Sequence, residues 1–175
     1  AQLAQNAILG PDVLPAVQDN TLPADTQVSL AAGAALDLGG SLQTVDGLSG
    51  GGVVSNGTLA VTGVIAPGGT NAVGTLSVAA SATLTGTLLA DVALDGSCDT
   101  LNVSGSLDVR GLELNIQDLT KLTPRTQYLI ATCAPGGLTG PFEATNLDSG
   151  RWAVSYRNAD GEVRLVSSGL LIVVR

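Results

Sequence analysis

The sequence predicts an all-β solenoid, a parallel β-helix preceded by an extended N-terminal arm and followed by an antiparallel β cap. Three observations carry this expectation. Short runs of alternating apolar and small polar residues recur from Val28 onward, punctuated by many of the chain's 23 glycines. One unit returns: Gly57-Thr58-Leu59-Ala60-Val61, Gly74-Thr75-Leu76-Ser77-Val78 and Gly105-Ser106-Leu107-Asp108-Val109, with Thr100-Leu101-Asn102-Val103 as a variant. Finally, hydrophobic residues make up 45% of the chain but aromatics only 2%, so the core must be Val, Leu, Ile and Ala. Such side chains suit thin repeated layers better than one wide globular centre.

The elements follow in order. Residues 1–27 carry Pro11, Pro15 and Pro23, which block a long helix and a central sheet position. They are expected to form an extended arm, with one short helical turn near Gln2–Ile8. Residues 28–127 are expected to form the β-helix, through strands such as "VSL", "AALDL", "VVS", "TLAVTG", "GTLSVAA", "ATLTGTLLADVAL", "DTLNVSG" and "LELNIQDL". In each copy of the recurring unit, the Leu and the residue two positions on face one side, and the Thr or Ser and the intervening residue face the other. Copies recur at about a dozen to twenty residues, the length of one strand and turn of a solenoid. The turn-like "SNGT" at 55–58 and "DGS" at 95–97 would also fit hairpins of a sandwich. The longer "LGGSLQTVDGLSGGG" and "APGGTNAVG" read instead as corners, and favour the parallel solenoid.

Residues 128–175 differ again. "TQYLIATC", "RWAVSYR", "GEVRLVSS" and "GLLIVVR" are longer strands, and all four aromatics (Tyr128, Phe142, Trp152, Tyr156) lie in this last part. "SYRNADGEVRLV" predicts an antiparallel hairpin turning at Asn158–Gly161. This region is expected to cap the solenoid, since a terminal repeat needs a polar cover.

Charge and composition exclude several functions. The net charge is −8 and no Lys/Arg cluster exists, so a nucleic acid or an anionic membrane is not an expected partner. No apolar run reaches the length of a membrane span. No basic segment precedes an apolar one at residue 1, so any signal peptide is expected to have been removed. The chain has no histidine, which removes Ser-His-Asp chemistry and, with only two cysteines, makes a zinc site improbable. Cys98 and Cys133 are either buried free thiols or a pair across neighbouring layers; a disulfide between them is the expectation, contributing about 3–4 kcal/mol by loop closure. Asp91, Asp95 and Asp99 fall four apart and could converge at a corner as a carboxylate pair or a weak oxygen site for Ca²⁺. Solvated turn acids are the simpler reading, and no cofactor or metal is expected.

The stretch "AAGAALDLGGSLQTVDGLSGGGVVSNGTLAVTGVIAPGGTNAVGTLSV" resembles the autotransporter-associated β-strand repeat of bacterial surface proteins. The match lies in the order "LDLGG", "QTV", "LSG", "NGTLAVTG", "APGG", "GTLSV". The later "SCDTLNVSGSLDV", "YLIATC" and "GLTGPFEATNL" are similar to the segment that closes such repeats. The resemblance covers roughly residues 20–166. It implies a right-handed parallel β-helix, secreted and displayed outside a Gram-negative-type cell as a stalk or passenger, and it brings no catalytic residues.

The expected function is therefore structural and not enzymatic: an extracellular building block of a surface fibre or stalk. The terminal strand Leu170-Leu171-Ile172-Val173-Val174 is apolar on both faces and must be buried or paired. With the arm residues Leu3, Ile8, Leu9, Val13 and Leu14 it is the candidate surface for head-to-tail assembly into homo-oligomers. The alternative is a glycan-binding adhesin that uses Trp152, Tyr128 and Tyr156.

Overall fold

A strand with an aliphatic residue at every second position offers one apolar face, and that face must meet another. Here the chain meets the need by returning to two sheets in turn. The computed structural model describes residues 6–9, 13–15 and 19–168. Strand β1 (Asn6–Leu9) lies in the first sheet and β2 (Val13–Pro15) in the second. Next come β3 (Gln27–Leu30) in the first, and β4 (Ala35–Asp37) and β5 (Leu42–Val45) in the second. The alternation continues with β6 (Gly47–Gly50), β7 (Val53–Val61), β8 (Val64–Pro67), β9 (Thr75–Leu84), β10 (Gly86–Ala90) and β11 (Thr100–Val103). Strand β12 (Leu107–Asp108) then starts a small third sheet, β13 (Leu112–Ile116) rejoins the first, and β14 (Tyr128–Thr132) the second. Strand β15 (Leu138–Thr139) pairs with β12, β16 (Ala144–Thr145) ends the first sheet, and β17 (Trp152–Arg157) and β18 (Glu162–Ser167) complete the second.

Among the described residues the first sheet runs β1-β3-β6-β8-β10-β13-β16, parallel throughout. The second runs β2-β4-β7-β9-β11-β14 in parallel, then turns antiparallel through β18 and β17. The chain is thus all-β, with a solenoid-like stacking of successive returns. The return length varies: Leu48 pairs with Ile65, 17 positions on, whereas Leu101 pairs with Ala131, 30 positions on.

Register makes this a core. In the first sheet Val28 pairs with Leu48, Leu48 with Ile65, Ile65 with Leu88, and Leu88 with Leu114. All five are at most 1% exposed. In the second sheet Leu36, Val54, Val78 and Val103 form a matching column, and Leu76 pairs with Leu101 beside it. The repeated units "TLSV" and "TLNV" therefore stack residue on residue, as their likeness predicts. One hydrophobic cluster extends from Leu22 to Leu165.

Several expectations change on contact with the structure. Residues 6–9 and 13–15, assigned to an arm, form β1 and β2 and pair with β3 and β4 as an additional layer of both sheets. Asn6–Ile8, placed in a helical turn, is strand. The segment read as one strand, "ATLTGTLLADVAL", breaks between β9 and β10 and changes sheet. Gly86 makes the break: its φ is +92°, and a Cβ there would run into the Gly63 carbonyl. "SNGT" is not a hairpin turn but a bulge inside β7, where Asn56 takes φ +56° and the register shifts between Ser55 and Thr58. The hairpin 155–166 forms as expected, with Arg157 opposite Glu162.

Residues 19–22 are held along the outer side of β5 by side chains. Leu42 N–H donates to Asp19 Oδ1 at 2.7 Å and Thr44 N–H to Asn20 Oδ1 at 2.9 Å. Gln43, 1% exposed, accepts from Leu22 N–H at 3.0 Å and donates to Leu22 O at 3.1 Å. A buried amide satisfied on both sides fixes this segment to the stack.

Leu88 sits in the middle of the first column, and its truncation leaves a cavity between Ile65 and Leu114. Leu88→Ala should lower unfolding free energy by about 3–4 kcal/mol, read as a reduced urea midpoint with unchanged slope.

Candidate functional site

Three places concentrate the chain's chemistry: the two ends of the stack, the loop after β10, and the thiols beside it. At the first end, Ile8 and Leu9 lie in β1, and Val13 and Leu14 in β2. Each strand pairs on one side only among the described residues, with β3 and β4 respectively, so both sheets begin with an open edge. Leu3 and Leu170–Val174 lie outside the described residues.

At the other end the two sheets finish differently. The first stops at β16, two exposed residues paired with β13. The second is closed by the β17–β18 hairpin, which lies antiparallel on β14. Aromatic rings seal this closure: Tyr128 meets Trp152 edge-on and Phe142 meets Tyr156, both at 6.1 Å between centroids. Tyr128 Oη accepts from Thr123 N–H at 2.8 Å, and Tyr156 Oη from Phe142 N–H at 2.9 Å. Tyr128 is fully buried and Trp152 is 7% exposed. These rings are packing groups, not an open platform for sugar stacking.

The loop between β10 and β11 brings together two of the three aspartates singled out from their spacing. Asp91 and Asp99 are buried, whereas Asp95 is exposed at the tip. Asp99 N–H donates to Asp91 O at 2.9 Å, and Ala93 N–H to Ser97 O at 2.9 Å, so the loop folds back on itself. The Asp99 carboxylate then ties two layers: Oδ2 accepts from Asp91 N–H at 2.9 Å, and Oδ1 from Gly74 N–H at 2.8 Å. Asp91 Oδ2 is buried without a hydrogen-bond partner among the described residues. Burial pushes the Asp99 carboxyl up to about 6; the two N–H donors oppose the rise and the neighbouring Asp91 adds to it.

Five other acids shape turns. Asp37, Asp95, Asp108, Asp118 and Asp148 each accept the N–H two residues on, at 2.8–3.0 Å. Hydrogen bonding from Ser97, Arg110 and Thr120 holds Asp95, Asp108 and Asp118 below the ordinary carboxylate range. Among the described residues no three of His, Cys, Asp and Glu gather as a metal site would require.

The expected disulfide is corrected by register. Cys98 and Cys133 are free thiols. Leu101 lies opposite Ala131 and Asn102 opposite Thr132, so Cys133 falls beyond the far end of the pairing that Cys98 precedes. Continuing that register puts the two about five positions apart along the strands, or about 16 Å. A disulfide needs Cα atoms within about 7 Å. Cys98 Sγ instead donates to Leu129 O at 3.3 Å, and Cys133 Sγ contacts Ala134 O at 3.5 Å. Burial, helped by Asp99, pushes the Cys98 thiol up to about 11; burial also raises Cys133. Compared with protein-family models and with curated proteins, the chain matches none.

Sequence spacing found the Asp91–Asp99 loop but not its burial, because a four-residue interval says nothing about depth. The signal for β1 and β2 was the return interval: Asn6 pairs with Gln27 and Val13 with Ala35, intervals close to those of later layers.

Asp99 holds its proton more tightly when folded than when unfolded, so its contribution to stability is largest in acid and declines as pH rises from about 4 to 6. Between pH 4.5 and 7 the parent chain should lose about 2 kcal/mol more than Asp99→Asn does, measured by urea unfolding at each pH. Equal pH dependence of the two chains would remove Asp99 as the cause. A thiol reagent at pH 8 should modify native Cys133 first and Cys98 only slowly, with both reacting in denaturant. A mass spectrum of the native chain showing an intramolecular disulfide would contradict the register.

Proposed function

We propose that this chain is a structural building block, a right-handed parallel β-helix displayed outside a bacterial cell, that assembles head to tail into a fibre or stalk. The observation that supports this most directly is that β1 and β2, where both parallel sheets begin, are each paired on one side only among the described residues. An open parallel edge offers a row of unpaired N–H and C=O groups, and a second copy can continue it without distortion. At the opposite end β16 leaves the first sheet open too. Joining unlike ends is a heterologous contact, which propagates if the rotation does not close.

The use of the acids supports a structural role over a catalytic one. Asp37, Asp95, Asp108, Asp118 and Asp148 bind backbone N–H groups in turns, and Asp99 binds two layers together. The resemblance to autotransporter-associated repeats accords with a secreted, surface-displayed stalk. By sequence, the apolar residues 170–174 and the first strands are the segments that the assembly would bury.

Negative-stain electron microscopy of the purified chain, beside one lacking residues 1–18 and one ending at Ser168, tests this reading. Filaments from the intact chain and dispersed particles from either shortened chain are expected. Monodisperse short rods from the intact chain at high concentration would overturn it.

A further inference from the structure

The cap holds a groove of about 340 Å³ lined by Pro124, Arg125, Arg151, Trp152, Ser167 and Ser168. Its cations stand out in an acidic chain. Only seven Lys and Arg residues offset fifteen Asp and Glu. Arg110 pairs with Asp108, Lys121 with Asp118 and Arg164 with Glu162, while Arg157 lies opposite Glu162 in the hairpin. Arg125 and Arg151 have no carboxylate partner among the described residues, and both line this one groove. The nearest turn acid, Asp148, directs Oδ1 to Gly150 N–H and its carbonyl to Arg151 N–H and Trp152 N–H.

The backbone supplies a second, independent observation. Thr126 N–H donates to Thr123 O at 3.2 Å, closing a turn with Pro124 and Arg125 at its centre. Arg125 has φ +72°, where a type II turn calls for Gly or Asn. Among the described residues four non-glycine residues take positive φ, and the other three are Asn20, Asn56 and Asn71, a type that tolerates it. Arg125 alone sits there against its own preference. Strain retained at an exposed arginine that lines a groove is the kind of outlier from which a functional reading starts.

From these observations we infer that the groove binds an anionic saccharide. The two guanidiniums read the carboxylate or sulfate, as planar forks that match such oxyanions. Pro124 forms an apolar wall for the C–H face of a sugar, with the buried Trp152 beneath it, and Ser167 and Ser168 provide hydroxyls for its rim. The volume admits a ligand about the size of a disaccharide. This inference does not rest on the assembly reading: a monomer would bind equally well.

The chain's single tryptophan is Trp152, so its emission reports the groove directly. Titration of the full chain with digalacturonate and with sulfated lactose tells carboxylate from sulfate, and maltose serves as the neutral control. A saturable change with either anion and none with maltose is expected. Arg151→Ala and Arg125→Gly should each weaken binding at least tenfold. Arg125→Gly should do so without lowering Tm, because Gly accepts the turn's φ freely, which separates loss of binding from loss of fold. No response to either anion, an equal response to maltose, or unchanged affinity in both variants would overturn the inference. Binding seen only after removal of residues 169–175 would also overturn it, since the chain itself would then hold the groove.

Discussion

Everything in this molecule depends on one constraint: in the parallel columns, an inward aliphatic must land on an inward aliphatic. The column Val28, Leu48, Ile65, Leu88, Leu114 shows how strictly this holds over five layers. A slip of one residue in any strand would turn its apolar face to solvent and its Thr or Ser inward. The variable length between returns shows where tolerance lies. Corners shorten and lengthen between layers, while the paired segments keep phase.

The composition follows from that constraint. Two facing sheets leave a narrow interior, and a buried Leu in it contributes about 2 kcal/mol without needing the breadth an aromatic requires. Rings enter where the stack stops being parallel, at the Tyr128–Trp152 and Phe142–Tyr156 contacts under the hairpin. Asp37, Asp95, Asp108, Asp118 and Asp148 sit where the chain must turn, because a carboxylate reaching the N–H two residues on stabilises a bend. Asp99 is the exception that spans layers, and its burial gives the stack a group whose proton affinity depends on being folded.

Strand content, stacking and the terminal hairpin were legible because they rest on local pattern. "TLSV" and "TLNV" looked alike and do pair, and Asn158–Gly161 turns as its residues require. What local pattern could not supply was depth and partnership. Proline suggested that residues 1–27 stood apart, yet Pro15 closes a strand at the sheet's edge, where its missing N–H is harmless. Two cysteines in one chain suggested a bridge, and only the 30-residue register between β11 and β14 separates them. Arg125 gave no signal at all: a Pro-Arg turn looks ordinary until its φ is seen.

The two ends of the stack are not equivalent, and the difference has a physical origin. A parallel sheet cannot terminate itself, because each added layer leaves the same unsatisfied edge as the one before. An antiparallel hairpin can end it, since β17 and β18 return on themselves and bring in rings and cations foreign to the repeat. That solution is applied to the second sheet only. Among the described residues the first sheet ends on β16, too short and too exposed to serve as a lid, and both sheets begin on strands paired on one side only. Among the described residues the fold closes one of the four ends of its two larger sheets and places beside that closure two arginines without a carboxylate partner, so the proposed assembly and the proposed binding draw on different parts of the molecule.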